Sequence, residues 1–496
     1  MEYIINTLSF LLIINILFAV SIVFLERKDP QTTLAWLMVL IFIPGLGFFL
    51  YLFFGQNLKK EKMFRLKESE DRILKNILKL QENELDKHEM TFYDPTLVEY
   101  KDIIKMNIKT DDSFLTQNNE IAIFTDGNDK YKSLISDIEN AKSHIHLLYY
   151  IFNDDEIGNK IIDTLIRKLD EGVKVKLLYD DVGCSKTNSE LFLRFEDHGG
   201  ETAPFFPFIL PRFHFRLNFR NHRKIAIIDG KTGYIGGFNI GDEYLGKNHN
   251  LGNWRDTHLR ITGDAVYALQ IRFLMDWEYA SKEKPRIYDE NRIKRAIKKY
   301  DYVDDLFPIN HPVGKKAVQI VSSGPDSDSE QIKYGYLKLI NRAKESIFIQ
   351  SPYFIPDSSI VESLKIAALS GVDVRIMIPC KPDHPFVYWA TLSNAAELLN
   401  SGVRIYRYMD GFLHSKTIVV DGRISSVGTA NWDVRSFKLN FEVNSFIYDK
   451  ETSKALNDFF LKDLTKSSEL TKQAYENRKI TIKVKESFSR LLSPLL

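Results

Sequence analysis

Two histidines, His222 and His414, each stand two residues before a lysine (Lys224, Lys416) and seven before an aspartate (Asp229, Asp421). Seventeen residues after each histidine comes an asparagine: Asn239 in Gly236-Gly237-Phe238-Asn239, and Asn431 in Gly428-Thr429-Ala430-Asn431. A lone His-x-Lys is commonplace and means nothing by itself. Two copies with identical spacing point to one centre built from two half-sites. The residue types suit transfer at a phosphodiester. One imidazole attacks phosphorus to give a phosphohistidine; the other protonates the leaving alkoxide and then deprotonates the incoming alcohol. Lys224, Lys416, Asn239 and Asn431 supply donors for the charge on the phosphoryl oxygens, so the chemistry calls for no metal and no cofactor.

Within each copy the spacing separates roles. On a strand, residues two apart leave the same face, so the histidine and lysine point together. Asp229 and Asp421 close the catalytic motif at strand ends with opposite parity, beside glycines, and are expected to fasten a turn rather than touch substrate. Each imidazole also needs an orienting partner. Asp256 in Asn253-Trp254-Arg255-Asp256 and Glu442 in Leu439-Asn440-Phe441-Glu442 follow their histidines at similar distances. Asp256 is therefore expected on His222, and Glu442 on His414.

The elements that must carry these residues form an internal repeat. The first unit runs through Ala141-Lys142-Ser143-His144-Ile145-His146, an amphipathic helix from about Ile157 to Glu171, Gly172, and an apolar strand Val173 to Tyr179. The second repeats it with Ala343-Lys344-Glu345-Ser346-Ile347-Phe348, a helix from about Ser359 to Ser370, Gly371, and the strand Val372 to Ile378. Helix, strand, helix, Gly, strand in both units is α/β alternation. In the second copy Phe412 to Val420 reads as a strand that turns at Asp421-Gly422 and returns over Ile424 to Val427. The expected organisation is 1–58 as two membrane spans, 59–115 as a charged helical linker with a solvated helix over about Lys60 to Lys87, 116–288 as the first α/β domain, 289–316 as a linker and 317–496 as the second α/β domain.

Composition is that of a globular protein, 44% hydrophobic and 27% charged, with a net charge of +1 that gives no reason to expect a polyanionic partner. Cys184 and Cys380 are too few for a disulfide framework and read as reduced thiols. The N-terminus departs from the average. Tyr3 to Leu25 and Thr32 to Phe54 hold no charged residue, and each is long enough to cross a hydrocarbon core of ~30 Å as a helix. The first run lacks the basic start and small-x-small site of a cleaved signal peptide. A two-helix transmembrane hairpin with Pro30 in its turn follows. Lys59, Lys60, Lys62, Arg65 and Lys67 after the second run outnumber Arg27 and Lys28 in the turn, which puts the catalytic domains in the cytoplasm.

The duplicated motif resembles the phospholipase D superfamily, whose HKD signature has this form. Glu26-Arg27-Lys28-Asp29-Pro30 between two spans, Asn221-His222-Arg223-Lys224, Gly236-Gly237-Phe238-Asn239 and the terminal Arg490-Leu491-Leu492-Ser493-Pro494-Leu495-Leu496 are similar to the bacterial cardiolipin synthase branch, over essentially the whole chain. The resemblance implies two phospholipase D-like α/β domains, each a mixed sheet flanked by helices, in a pseudo-twofold arrangement. It implies reversible phosphatidyl transfer from one phosphatidylglycerol to another, giving cardiolipin and glycerol, by a multi-pass enzyme of the cell membrane. The residues leave either histidine open as nucleophile; the resemblance favours His222, with His414 as acid and base. One departure stands out: Gly237 occupies a position where the superfamily often has Ser, while the second copy has Thr429. The competing readings are another phosphatidyltransferase or a phospholipase D; a nuclease of the same superfamily, which would have no use for a membrane hairpin and would be expected to be basic; and a non-catalytic scaffold, against which stand the complete motifs. No nucleic-acid partner is expected, and nothing in the pattern sets an oligomeric state.

Two segments remain. Phe205-Phe206-Pro207-Phe208-Ile209-Leu210-Pro211-Arg212-Phe213-His214-Phe215-Arg216 interleaves aromatic and basic residues, and is expected as an interfacial loop, the alternative being a buried connection. Ile480 to Leu496 mixes basic and apolar residues and fits either a membrane-lying amphipathic segment or a helix packed on the second domain. Tyr149, Tyr150, Tyr353 and Trp389 read as core or cleft wall. His144, His146, His249 and His258 lack the motif spacing and get no catalytic role.

Overall fold

A computed structural model describes residues 30–43, 47, 51, 72–207, 219–281, 303–309 and 312–492. The repeat begins from helices whose ends are written in the sequence. Asp155 caps Glu156–Asp170 by accepting from the Gly158 N–H at 3.0 Å, and Ile157, Ile161, Ile162 and Leu165 form its buried face. Asp357 caps Ser358–Leu369 in the same way through the Ser359 N–H at 3.1 Å. Each helix is followed by a glycine in the left-handed region, Gly172 at φ +88° and Gly371 at φ +95°, where a side chain would be strained.

Among the described residues sixteen strands join in one mixed sheet, and four short ones form two separate two-stranded pairs. The first half contributes β1 (Thr116–Phe124), β2 (His144–Tyr149), β3 (Lys174–Asp180), β4 (Glu201–Phe205), the short β5 (Arg220–Asn221), β6 (Ile225–Ile228), β7 (Thr232–Gly236), the short β8 (Trp254–Arg255) and β9 (His258–Gly263). The second contributes β10 (Lys316–Ser323), β11 (Ser346–Gln350), the short β12 (Phe354–Ile355), β13 (Asp373–Pro379), β14 (Arg404–Tyr408), the short β15 (Phe412–Leu413), β16 (Thr417–Val420), β17 (Ile424–Gly428), the short β18 (Trp432–Asp433), β19 (Asn440–Tyr448) and β20 (Ser467–Glu469). The halves meet where β1 pairs antiparallel with β10. Outward from that seam the orders are β1-β9-β7-β6-β2-β3-β4 and β10-β19-β17-β16-β11-β13-β14, with β20 on the second outer edge. The mirrored order is the pseudo-twofold expected of two related halves. β2, β3 and β4 are mutually parallel, as are β11, β13 and β14. These are the apolar strands that follow each crossover helix, and a sheet covered on both faces asks for that composition.

The segment before β1 differs from the solvated connector expected of it. In the helix Arg72–Lys87, Leu78 and Leu85 lie one heptad apart and are buried; in the helix Lys101–Asp111, Ile103, Ile104 and Ile108 are buried. All five join one core cluster with Ile332, Tyr336 and Trp432 of the second half. Buried Asn107 reaches the Gln319 Oε1 at 3.1 Å. The charges that suggested a connector are the outer faces of helices whose inner faces complete the second half's core.

The N-terminal runs fall largely outside the described residues, as does most of the expected linker 289–316. Within the described part, the helix Pro30–Phe42 turns Leu34, Met38, Ile41 and Phe42 outward, while Trp36 and Leu40 pack with Tyr51. Among the described residues no helix is long and apolar enough to cross a membrane. The aromatic segment begins inside the core: Phe205 and Phe206 are buried against Tyr279 and Phe441. That corrects the interfacial expectation for these two rings. Phe208 to Arg216 lie outside the described residues.

Candidate active site

The short strands build the site. β5 ends at Asn221 and β6 begins at Ile225, so His222-Arg223-Lys224 occupies the step between two strands rather than a continuous strand. His414-Ser415-Lys416 sits in the matching step between β15 and β16. β5 leaves its own half and pairs parallel with β19 of the other, Phe441 opposite Asn221; β15 pairs parallel with β8, Leu413 opposite Arg255. The His222 N–H donates to the Phe441 carbonyl at 2.9 Å, and the His414 N–H donates to the Arg255 carbonyl at 2.7 Å. Each histidine is thereby docked beside the carboxylate of the opposite half.

The orienting pairs are accordingly crossed. His222 Nδ1 lies 2.9 Å from Glu442 Oε1, and His414 Nδ1 lies 2.6 Å from Asp256 Oδ2. This corrects the expected same-half pairing, in which Asp256 would hold His222 and Glu442 would hold His414. Spacing along the chain cannot reveal the strand exchange that produces it. Both carboxylates are fully buried and both imidazoles nearly so. Burial pushes each imidazole down to about 4, against the opposing pull of its carboxylate. Each carboxyl is nonetheless held below its ordinary range: its basic neighbours, Lys416 and His414 for Asp256 and His222 for Glu442, outweigh the desolvation that acts against the charge. With Nδ1–H committed to a carboxylate, the neutral ring turns its Nε2 lone pair outward.

The lysines lie beneath the histidines. Lys224 Nζ donates to the His222 carbonyl at 2.7 Å, and Lys416 Nζ to the His414 carbonyl at 2.5 Å. Lys416 Nζ also comes within 2.9 Å of His414 Nδ1. Desolvation lowers Lys224 to about 7 and Lys416 to about 8. Each lysine's charge also depresses both histidines, its own and the one from the other half, which is how two half-sites behave when they form one electrostatic centre.

Asn239 and Asn431 are buried beside these groups. Asn239 Oδ1 accepts from the Ile151 N–H at 3.2 Å and its Nδ2 donates to the Tyr244 hydroxyl at 2.9 Å. Asn431 Oδ1 has no hydrogen-bond partner among the described residues. The motif aspartates sit elsewhere. Asp229 and Asp421 both have φ +53° and lead the turns Asp229-Gly230 and Asp421-Gly422, positive at both positions as a tight hairpin requires. The Asp229 carboxylate accepts from the N–H groups of Lys142, Ser143 and His144; Asp421 accepts from those of Lys344, Glu345 and Ser346. Five residues of extended chain, roughly 17 Å, separate each from its lysine. The grouping of Asp229 and Asp421 with the catalytic residues is corrected to a positioning role: they pin the hairpins whose other ends carry His and Lys.

The halves differ where the sequence differs. Thr429 Oγ1 donates to Glu442 Oε2 at 2.6 Å, and Asn440 Nδ2 donates to Oε1 at 3.2 Å. At Gly237 a Cβ would stand 1.9 Å from Asp256 Oδ1. The shorter aspartate sits where a side chain would be, so Gly with Asp and Thr with Glu are two complementary solutions to filling the same space.

Several contributors carry no motif signal. Arg223 is buried and its Nη1 donates to both carboxylate oxygens of Asp276 at 2.7 and 2.6 Å, while its Nε donates to the Glu442 carbonyl at 3.1 Å. Arg255 pairs across the seam with Asp463 at 2.8 Å. Thr257 and Ser415 hydroxyls meet at 2.6 Å. The Tyr150 ring stands edge-on to His222 with centroids 5.0 Å apart, and Trp254 lies 5.0 Å from His414. Tyr150 was legible in advance as cleft wall, and Arg223 as one of the arginines, with Arg212, Arg216 and Arg220, suited to attract the phosphate, whereas it is paired with Asp276.

Comparison with known proteins decides the family. The chain matches the family model "Cardiolipin synthase, PLD-like domain" over residues 134–277 and 336–464, the two halves that carry the motifs. This chain belongs to the cardiolipin synthase family of phospholipase D-like phosphatidyltransferases. Residues 13–56, spanning most of the two apolar runs, match a phospholipase D-nuclease N-terminal model. A cardiolipin synthase from Listeria monocytogenes serotype 4a is 53% identical over 489 residues, covering 99% of this chain and 98% of that one. One from Oceanobacillus iheyensis is 51% identical over 98% of each chain, and one from Staphylococcus aureus 50% identical over 98% of this chain and 95% of its own. Among solved structures, the phosphatidylserine synthase of Haemophilus influenzae superimposes with a TM-score of 0.59 at 17% identity, covering 80% of this chain and 99% of that one. At that identity the likeness supports the fold alone.

Proposed function

We propose that the crossed site moves a phosphatidyl group from one phosphatidylglycerol to the terminal hydroxyl of a second, forming cardiolipin and releasing glycerol. His222 Nε2 attacks phosphorus, and the phosphorus–oxygen bond to glycerol breaks as His414, which enters the step as the imidazolium paired with Asp256 once the anionic lipid is bound, delivers its Nε2 proton to that oxygen. The phosphatidyl-His222 intermediate is then attacked by the hydroxyl of the second lipid, whose proton passes to His414, and His222 leaves. Glu442 and Asp256 hold the two rings in the tautomer that presents Nε2 and stabilise the positive charge each ring acquires. Lys224, Lys416, Asn239 and Asn431 hold the phosphoryl oxygens. The observation that carries this reading is the pair of buried Nδ1–carboxylate bonds, 2.9 and 2.6 Å, each made to the opposite half.

The two N-terminal runs act as a transmembrane hairpin, which makes the enzyme a multi-pass protein of the cell membrane with both halves on the cytoplasmic side. Support comes from their apolar length and from the five basic residues Lys59 to Lys67 after the second run. Incubating purified enzyme with phosphatidylglycerol should give cardiolipin and glycerol in equal amounts; phosphatidic acid as the sole product would replace transfer with hydrolysis. Rapid quenching with radiolabelled lipid should trap the label on His222, and label found on His414 alone would exchange the two roles.

A further inference from the structure

The helix Ile480–Leu492 packs against the second half the wrong way round for a soluble protein. Its two fully buried residues are polar, with half-buried Ile482 on the same side: Glu486 is 2% exposed and takes Arg478 Nε at 2.7 Å and the Tyr475 hydroxyl at 2.9 Å, and Ser489 is 1% exposed. Its outward residues are apolar. Ile480, Val484, Phe488 and Leu491 are between 55 and 71% exposed. At 3.6 residues per turn these four fall within about 80° of arc, on the side opposite Glu486 and Ser489. Phe386, at the start of the neighbouring helix Pro385–Glu397, extends the stripe; it is 55% exposed and its ring lies 6.4 Å from that of Phe488. On one flank of the stripe is Lys485, near the Trp389 ring; on the other are Lys479, Lys483 and Arg490, the last paired with Glu397 at 2.8 Å.

We propose that this helix and Phe386 form a bilayer-docking face, seated in the boundary between headgroups and acyl chains of an anionic lipid surface. Contiguous apolar side chains facing water mark an interaction site. An apolar stripe bordered on both sides by Lys and Arg is the arrangement that interfacial helices use, rings and aliphatic chains down and cations level with the phosphates. The basic border selects the occupant: a second copy of the chain would bring the same cations to the same contact, whereas anionic lipid neutralises them. The Arg490–Glu397 pair fastens the helix to its neighbour Pro385–Glu397, and the Arg478–Glu486 pair ties it to the turn that precedes it, so the contact fixes the second half against the membrane at a site remote in sequence from the N-terminal runs.

The test uses full-length protein with Cys380→Ser, leaving buried Cys184 as the native thiol, and a nitrobenzoxadiazole label on Val484→Cys, Phe488→Cys or, as a control at an exposed position of another helix, Glu451→Cys. The proteins are reconstituted in vesicles of phosphatidylcholine and phosphatidylserine, with and without doxyl-labelled phosphatidylcholine. Labels at 484 and 488 are expected to emit blue-shifted and to lose most of that emission to the doxyl lipid, with the 451 label unaffected. Water-like emission at both stripe positions would overturn the proposal. A blue shift without quenching would overturn it too, by showing that protein covers the stripe. Cardiolipin formation by each labelled protein reports folding, and a position that fails it is replaced by Ile480→Cys on the same stripe.

Discussion

Replacing each orienting carboxylate by its amide separates the two half-sites, because the donors around them differ in whether they can turn. Glu442 receives His222 Nδ1–H, the Thr429 hydroxyl at 2.6 Å and Asn440 Nδ2 at 3.2 Å. In Glu442→Gln the amide oxygen can stay at Oε1, serving His222 and Asn440, while the new NH₂ meets Thr429. That hydroxyl can accept and give its own hydrogen to the Val443 carbonyl, already 3.2 Å away. The ring keeps its tautomer and loses only the charge, about 1.5 kcal/mol, or roughly tenfold in turnover. Asp256 has no such freedom. Its Oδ1 accepts from the Thr257 backbone N–H at 2.7 Å and its Oδ2 from His414 at 2.6 Å. In Asp256→Asn the oxygen must serve Thr257, so the NH₂ points at His414 Nδ1, where Lys416 Nζ already stands 2.9 Å away. Two donors on Nδ1 hold the ring neutral with its proton on Nε2, so it can neither form the imidazolium that protonates the leaving oxygen nor accept the proton of the incoming hydroxyl. A wrong tautomer of this kind costs on the order of 10⁴ in the serine-protease triad. Turnover of phosphatidylglycerol, followed as released glycerol, should therefore fall roughly a hundredfold or more further in Asp256→Asn than in Glu442→Gln. Imidazole ¹⁵N shifts should change for His414 in the first variant and for His222 in the second. Equal losses, or a shift on the histidine of the same half, would refute the crossed arrangement and the tautomer argument with it.

Other consequences follow from the same geometry. Lys224 and Lys416 bind phosphate when protonated and are lowered to about 7 and about 8, so kcat/KM should fall as pH rises through that range. Lys224→Arg should carry the falling limb up toward about 8, where Lys416 then sets it, since a guanidinium keeps its charge; an unmoved limb would assign it to another group. Gly237→Ala puts a methyl 1.9 Å from Asp256 Oδ1, and a carboxylate displaced by about 1 Å should lower turnover on the order of 10²-fold, with the folded structure checked by circular dichroism. Asp421→Ala removes the acceptor for three backbone N–H groups. It should lower unfolding free energy by about 2 kcal/mol in denaturant titration while turnover per folded molecule stays near that of the parent; a large loss of turnover without a loss of stability would return Asp421 to the chemistry.

The α/β repeat was legible because it rests on local signals: amphipathic helices, glycines 172 and 371 at their ends, and apolar strands following them. Asp229 and Asp421 were legible as turn residues from parity and the following glycine. What escaped was non-local. The partners of Asp256 and Glu442 depend on β5 and β15, two residues each, leaving their own halves to pair with β19 and β8. No periodicity marks so short an exchange. Leu78 and Leu85 were masked by the charges around them, and Phe205 and Phe206 by arginines further along. In each case composition reported the outer face, while burial is decided by what the inner face meets.

The exchange also explains why neither half could work alone. Each histidine takes its backbone acceptor and its orienting carboxylate from the other half, and Arg223 reaches across to the Glu442 and Ser323 carbonyls while Arg255 reaches across to Asp463. A half separated at the β1–β10 seam would keep its lysine and asparagine but lose the carboxylate that orients its imidazole and the imidazole that its own carboxylate holds. The duplication is therefore more than two copies of one site. It is one site in which the unequal pairs, Thr429 with Glu442 and Gly237 with Asp256, give the two rings different surroundings. Glu442 is backed by a hydroxyl and a side-chain amide that can turn as charge on His222 changes. Asp256 is fixed by a backbone N–H that cannot. A ring that must carry a phosphoryl group through two transition states suits the adaptable partner, and a ring that must hand the same proton out and take it back along one line suits the rigid one, which is the division of labour assigned to His222 and His414.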